Sequence, residues 1–398
     1  MNSNTLLNAV TRELAPYPME ELAKIRANIL KRGAPIYDFG TGDPKIPVWG
    51  NITDAIRRHI TEISQYPSIL GIETLKIAHF NYLLRRFGVS QNEDIMAIPS
   101  RGSKEAIFHI AQSLVGRMGR RRVVYPDPGY PVYKSSIQFA QGIPHPFVLN
   151  EENSYLLEPW KLSSAEIKEC AAVWVNYPHN PTGAIVDEHY WKALINWCHK
   201  HDVVLLSDDC YVDIYDETLD HIADLKKHIP LNPLMFSKDR VLSFMSLSKR
   251  SGCTGHRVGF IAGDSRILKQ HAKARANFGA AIPTYLQMGA VVAWDNDEHV
   301  QKRRSIFSRR MALVEGTLKK HGLIDHLPKA TFYLWCRVPE KFQGKDVSFC
   351  LDLAKKGFIS SPSSWLSNGT PGHFRLALVP EEEKIKEAMQ ILDEFISQ

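Results

Sequence analysis

Residues 202–211 read DVVLLSDDCY. Four consecutive apolar residues, Val203 to Leu206, stand between polar, turn-forming groups, which suits a short strand buried on both faces. Three other stretches share this form: RRVVYP at 121–126, AAVWVNYP at 171–178 and RVLSFMSLS at 240–248. Helix-patterned segments separate them, so the middle of the chain is expected to be α/β, a three-layer domain around a mostly parallel sheet. Each run also ends in a chemically useful group: Asp127 with Pro128, Asn176 with Pro178, Asp208 with Asp209, Ser248 with Lys249. Ligands of open α/β sheets bind outside the carboxyl ends of the strands, so these four ends are expected to converge on one site.

Downstream the pattern changes. A helical stretch at 284–321 is followed by ATFYLWCRV at 330–338, another helix and HFRLALV at 373–379, the signature of a smaller α+β domain. The expected division is an N-terminal arm and part of the small domain over 1–45, a large domain over 46–285 and a small domain over 286–398.

Composition narrows the class. Of 398 residues, 44% are hydrophobic and 23% charged, which excludes a disordered, collagenous or coiled-coil chain. The longest apolar runs, such as Cys170 to Val175 and Met288 to Trp294, fall far short of the roughly 18 residues of a membrane span. The N-terminus lacks a basic region followed by a long apolar stretch, so a cytoplasmic location is expected. Six scattered cysteines, without a CxxC pair or a histidine cluster at zinc spacing, point to reduced thiols and no metal. The net charge of +6 includes basic clusters at Arg117–Arg122 and Lys302–Arg310, expected to be solvated helix faces rather than a nucleic-acid surface.

The strand ends carry the chemistry. Lys249 lies between small residues in SLSKRSGCTGHRVG at 246–259, where an amine could attack a carbonyl while Arg257 grips a phosphate. RGSKEAIFHI at 101–110 places Gly102, Ser103 and Lys104 at the start of an amphipathic helix, whose free N–H groups favour a phosphate. Arg375 stands inside the apolar run GHFRLALVP, a costly place unless it is paired.

The spacing of Lys249 and Arg257 resembles the pyridoxal-phosphate attachment motif of fold-type I aminotransferases, and further family motifs follow in order over nearly the whole chain. The resemblance implies that Lys249 holds pyridoxal 5'-phosphate, that Asp208 faces its ring nitrogen, and that Tyr211 and Asn180 (in NYPHNPTG, 176–183) donate to its phenolic oxygen. Tyr130, in PDPGYPVY at 126–133, would stack on the ring. Gly102, Ser103, Lys104, Ser246 and Arg257 would hold the phosphate, joined by Tyr66 (in QYPSILGIETLK) from a second subunit, which implies a homodimer. Gly42, in FGTGDP at 39–44, Asn180 and Arg375 would bind the substrate carboxylate. Cys253, in place of a larger apolar residue, and Asp209, in place of glutamate, depart from the pattern.

Within the family, GSKEAIF (102–108), SLSKRSGCTGHRVGF (246–260), NFGAAIPTYLQMGAVVAW (277–294) and ATFYLW (330–335) are similar to N-succinyl-diaminopimelate aminotransferases. That branch implies ping-pong exchange between glutamate and N-succinyl-2-amino-6-oxopimelate in lysine biosynthesis. Aspartate, alanine or unblocked diaminopimelate as substrate, or a carbon–sulfur lyase on the same cofactor, are the alternatives. The segment ISSPSSWLSNGTPGHFR at 359–375 lacks the glycine-rich form usual before the arginine and is expected to border the substrate.

Overall fold

The computed structural model describes residues 6–14, 18–60, 64–221 and 229–398. After a two-residue strand β1 (Tyr37–Asp38), the strands β2 (Ile95–Ser100), β3 (Arg122–Asp127), β4 (Ile143–Val148), β5 (Cys170–Val175), β6 (Val204–Asp208), β7 (Val241–Ser246) and β8 (Gly259–Asp264) build one seven-stranded sheet. Its order is β2-β8-β7-β6-β5-β3-β4. The four apolar runs are thus β7, β6, β5 and β3, adjacent and parallel, and their carboxyl ends stand side by side. Strand β8 runs against the direction of the other six strands of this sheet.

Both faces of the sheet are covered, as the unbroken apolar runs require. Along β5, Ala172 and Trp174 enter one core while Val173 and Val175 enter another, and along β6 Val204 and Leu206 oppose Leu205 in the same way. The helices Ser103–Leu114 and Val132–Phe139 cover the first face; Glu73–Phe87 and Glu188–His201 cover the second. Their ends are set locally. Asp187 caps the Glu188–His201 helix by accepting from Tyr190 N, and Gly88, at φ 68°, ends the Glu73–Phe87 helix in the left-handed conformation that glycine adopts without penalty.

The smaller body holds β9 (Tyr333–Arg337), β10 (Phe358–Ile359), β11 (Ser361–Pro362) and β12 (His373–Ala377). Strands β11, β12 and β9 form an antiparallel sheet, and β1 pairs with β10, which draws residues 37–43 onto this body. The Thr284–Trp294 helix, at whose start the domain boundary was placed, buries Ala290, Ala293 and Trp294 in a core of the large sheet. The Glu298–Lys320 helix bridges the two bodies: His299 meets Ser251 at 2.8 Å, while Met311, Val314 and Leu318 join the small core.

The basic clusters are solvated only in part: Arg121, Lys302 and Arg309 are exposed, and the other arginines are engaged by the fold. Arg117 and Arg120 donate to the carbonyls of His201 and Asp202, neutralising the negative end of the Glu188–His201 helix. Arg303, Arg304 and Arg310 are buried against the rest of the fold. Among the described residues no helix is long and apolar enough to cross a membrane.

Candidate active site

A cavity of about 440 Å³ opens where β3, β5, β6 and β7 end, beneath β9 and β12 of the smaller body. Lys249, Asp208, Tyr211, Asn180 and Tyr130 line it from the strand ends. Ser103, Lys104 and Arg257 line it from one side, Gly42 and Arg375 from the other.

Asp208 is the last residue of β6 and is buried. Its Oδ2 accepts from Tyr133 Oη at 2.8 Å, and among the described residues it forms no salt bridge. Burial pushes its carboxyl above the ordinary range, opposed by the hydrogen bonds from Cys210 and Tyr133. A carboxylate so placed is ready for a cationic group entering the cavity. Asp209 faces the opposite way, into a buried network with Ser207, Asn232 and Ser243, and burial pushes it up as well. Asn176 ties neighbouring strand ends together, donating to the Asp208 carbonyl at 2.6 Å and accepting from Asn180 N at 2.9 Å.

Lys249 rides on the Leu247–Arg250 turn directly after β7, and its Nζ donates to the Gly42 carbonyl. Arg257 is held from three directions: Nη1 by the Thr254 carbonyl at 2.8 Å and Ser248 Oγ at 3.4 Å, Nη2 by the Arg101 carbonyl at 3.3 Å. This sets it beside the N-terminus of the Ser103–Leu114 helix, so a guanidinium, Lys104, Ser103 and the helix's free N–H groups face one end of the cavity. Gly102, at φ 75°, precedes that helix with Arg257 packed against the place a Cβ would occupy.

Arg375 is buried on β12. Its Nη1 donates to Asn180 Oδ1 at 3.1 Å and its Nη2 to the Gly40 carbonyl at 2.9 Å, while Nε has no partner. Neutral acceptors and one free donor leave its charge for a carboxylate. The guanidinium lies 4.5 Å from the centre of the Tyr333 ring, and Tyr333 Oη is 3.0 Å from Tyr211 Oη.

Three expected residues lie off the cavity wall: Gly102, which precedes the helix, Ser246 and Tyr66. Ser246 is buried and donates to Ser248 Oγ at 3.0 Å; Ser248 lines the cavity in its place. Tyr66 is fully exposed and stands away from the cavity. Sequence reasoning gave no role to Tyr333 or Cys210, named Asn176 only as a strand end and reached Leu366 only within the segment 359–375; all four line the cavity. Tyr333 and Asn176 had a signal, since both lie on or next to apolar runs that were recognised as strands.

Comparison with known proteins agrees with this geometry. The model of the family "Aminotransferase class I and II" matches residues 34–392. An "LL-diaminopimelate aminotransferase 2" of Trichormus variabilis is 31% identical over 382 residues, 95% of each chain. An LL-diaminopimelate aminotransferase of Natranaerobius thermophilus is 31% identical over 387 residues, 96% of this chain and 98% of its own. Among solved structures, an aminotransferase from Neisseria meningitidis superposes with a TM-score of 0.84 at 28% identity, covering 98% of this chain and 99% of its own. A match over nine-tenths of the sequence, with the strand-end constellation intact, leaves one conclusion: this chain belongs to the class I and II aminotransferases, which work with pyridoxal phosphate.

Proposed function

We propose that the chain transfers an amino group between an amino acid and a 2-oxo acid, with a diaminopimelate skeleton as the substrate it distinguishes. The observation that carries the transferase reading is Asp208, a buried carboxylate without a salt bridge among the described residues, lining one cavity with Lys249. The residues present fit the cofactor: Asp208 for a protonated ring nitrogen, Tyr130 for the ring face, Asn180 and Tyr211 for the phenolic oxygen, and Ser103, Lys104 and Arg257 for the phosphate. When bound, pyridoxal phosphate supplies an electron-accepting ring that stabilises negative charge at the substrate's α carbon.

The protein's own groups do the rest. Arg375 grips the α-carboxylate and so fixes which bond at the α carbon faces the lysine. The Lys249 amine would hold the cofactor, and when free it is the base placed to move the α proton. Gly42 lets the substrate carboxylate come close to the backbone. Tyr66 of the partner subunit would complete the phosphate site in a homodimer. Its full exposure in a single chain suits that role.

The substrate follows from the relatives, which are named for LL-diaminopimelate and match nearly end to end. A succinylated diaminopimelate is the second candidate, on the strength of the segments at 102–108, 246–260 and 277–294. The test is the amino-transfer rate to 2-oxoglutarate from LL-diaminopimelate, N-succinyl-LL-diaminopimelate and aspartate, measured side by side on the cofactor-loaded protein. A kcat/KM for LL-diaminopimelate roughly tenfold or more above both others is expected. Preference for the succinylated compound moves the chain to the second candidate, and preference for aspartate overturns the diaminopimelate assignment.

A further inference from the structure

The loop at 363–368 spans the two bodies. At its start, Ser363 Oγ and Ser364 Oγ each donate at 3.0 Å to the Asp346 carboxylate, and Ser364 N adds a bond of 2.7 Å. At its far end, Asn368 donates to both oxygens of Asp127, from N at 3.0 Å and from Nδ2 at 2.9 Å, while Lys134 donates to Asn368 Oδ1 at 2.9 Å. Asp346 belongs to the small body and Asp127 ends β3, so the loop is fastened across the cleft. Between the anchors the Leu366 carbonyl accepts from Gly129 N at 2.9 Å. That bond ties the Leu366 backbone to the turn that carries Tyr130.

Leu366 lines the catalytic cavity. It also lines a second, larger cavity of about 1250 Å³, walled in part by Phe108, Phe139, Leu351 and Trp365. Lys104, Gly129, Tyr130, Pro131 and Arg257 line both spaces too; of these Lys104, Tyr130 and Arg257 are already assigned to the cofactor, and Gly129 and Pro131 offer little or no movable side chain. Leu366 is an aliphatic side chain on the boundary, held by a loop with little freedom to move.

The geometry points to Leu366 as the specificity-determining partition of this site: its side chain limits the girth of the substrate side chain, and shortening it joins the catalytic cavity to the apolar chamber. This rests on the aminotransferase reading. An aromatic side chain gains from entering an apolar chamber because its ring leaves water, whereas a short carboxylate side chain gains nothing there. Shortening Leu366 therefore shifts preference from glutamate towards bulky apolar amino acids.

The test compares wild type with Leu366→Ala, Leu366→Val and Leu366→Phe, all cofactor-loaded. One measurement is the single-turnover change in cofactor absorbance with L-glutamate or L-phenylalanine as the sole substrate. The other involves no chemistry: calorimetric dissociation constants for glutarate and 3-phenylpropionate, the same carbon skeletons without the amine. In L366A both the rate ratio and the affinity ratio should move towards the aromatic compound by about tenfold or more, with L366V intermediate and L366F shifted the other way. L366V, which loses one methylene, carries the test if L366A does not fold. Ratios within twofold of wild type in the folded variants overturn the partition. If glutamate leaves the wild-type absorbance unchanged, the aminotransferase reading fails and this inference falls with it.

Discussion

Gly42 shows how a single residue couples the site. A Cβ built there would overlap Tyr333 Oη, the hydroxyl that meets Tyr211 and whose ring lies under Arg375. Gly42→Ala must therefore push Tyr333 aside, and through it both Tyr211 and Arg375. A stability loss of about 1–3 kcal/mol is expected from the overpacking, together with a rise in KM for the amino donor as Arg375 is displaced. Urea unfolding and steady-state kinetics on the same variant check both effects, and an unchanged KM would show that the carboxylate does not depend on this contact. The glycine was readable from its motif, as were the lysine, the aspartate and the arginines, because their chemistry demands one residue type at one spacing. Tyr333 was not, since an aromatic in an apolar strand is ordinarily core and only the folded neighbours reveal its hydroxyl at the cavity. Ser246 and Ser248 could not be told apart for a related reason: the two serines flank Leu247, and only the local turn puts Ser248 on the cavity wall with Ser246 hydrogen-bonded behind it.

At the scale of elements, the apolar runs identified β3, β5, β6 and β7, because strands buried on both faces have no polar side to blur the pattern. Strand β4, IPHPFV, escaped notice since it carries Pro144 and Pro146, which an edge strand tolerates and a central strand does not. The two-residue strands of the small body are too short to leave any periodicity. What aligns the chemistry-bearing ends of β6 and β7 was equally hidden. Asp213, two residues after Tyr211, pairs with Arg250 Nε at 2.9 Å and Arg86 Nε at 3.0 Å, and accepts from Tyr82 Oη at 2.8 Å. Arg250 follows Lys249 directly and also donates to the Ala293 carbonyl at 2.7 Å. Burial alone would raise the Asp213 carboxyl, yet Arg250 and Arg86 hold it below the usual range. Its contribution is therefore complete above the unfolded value near 4 and is lost as the pH falls through the lower folded value. Asp213→Asn keeps the shape but leaves Arg86 without its counter-charge and the buried Arg250 with Asp297 alone. A loss of about 3–5 kcal/mol at neutral pH is expected by denaturant titration, and a loss under about 1 kcal/mol would show that the brace is dispensable.

Across the whole molecule, histidines that the fold keeps neutral add to the acid response of the paired carboxylates. Burial pushes His79, His179 and His299 down to about 3, and of these His79 has both ring nitrogens buried without a partner, stacked 4.1 Å from Phe260 between the Glu73–Phe87 helix and β8. Such a group is neutral in both states above its unfolded value near 6.5 and costs nothing there beyond desolvation. Below that value the unfolded chain binds a proton that the native chain refuses, so stability falls with pH until the folded value near 3 is reached. The slope is about 1.4 kcal/mol per pH unit for each such histidine. Asp208 and Asp209 act in the opposite sense, because their raised carboxyls bind protons in the native state first, so the total slope mixes the two. A single substitution separates them. His79→Phe keeps the ring stack on Phe260 and forfeits no hydrogen bond, so the variant should match or exceed wild type at pH 7. Its advantage should widen by about 2 kcal/mol on going to pH 5, as the proton-binding penalty vanishes from the variant alone. Urea unfolding at the two pH values measures this directly. A gap that stays constant would mean that His79 takes up its proton in the folded state, and the acid sensitivity would then have to come from other groups, among them Asp213 and the remaining buried histidines.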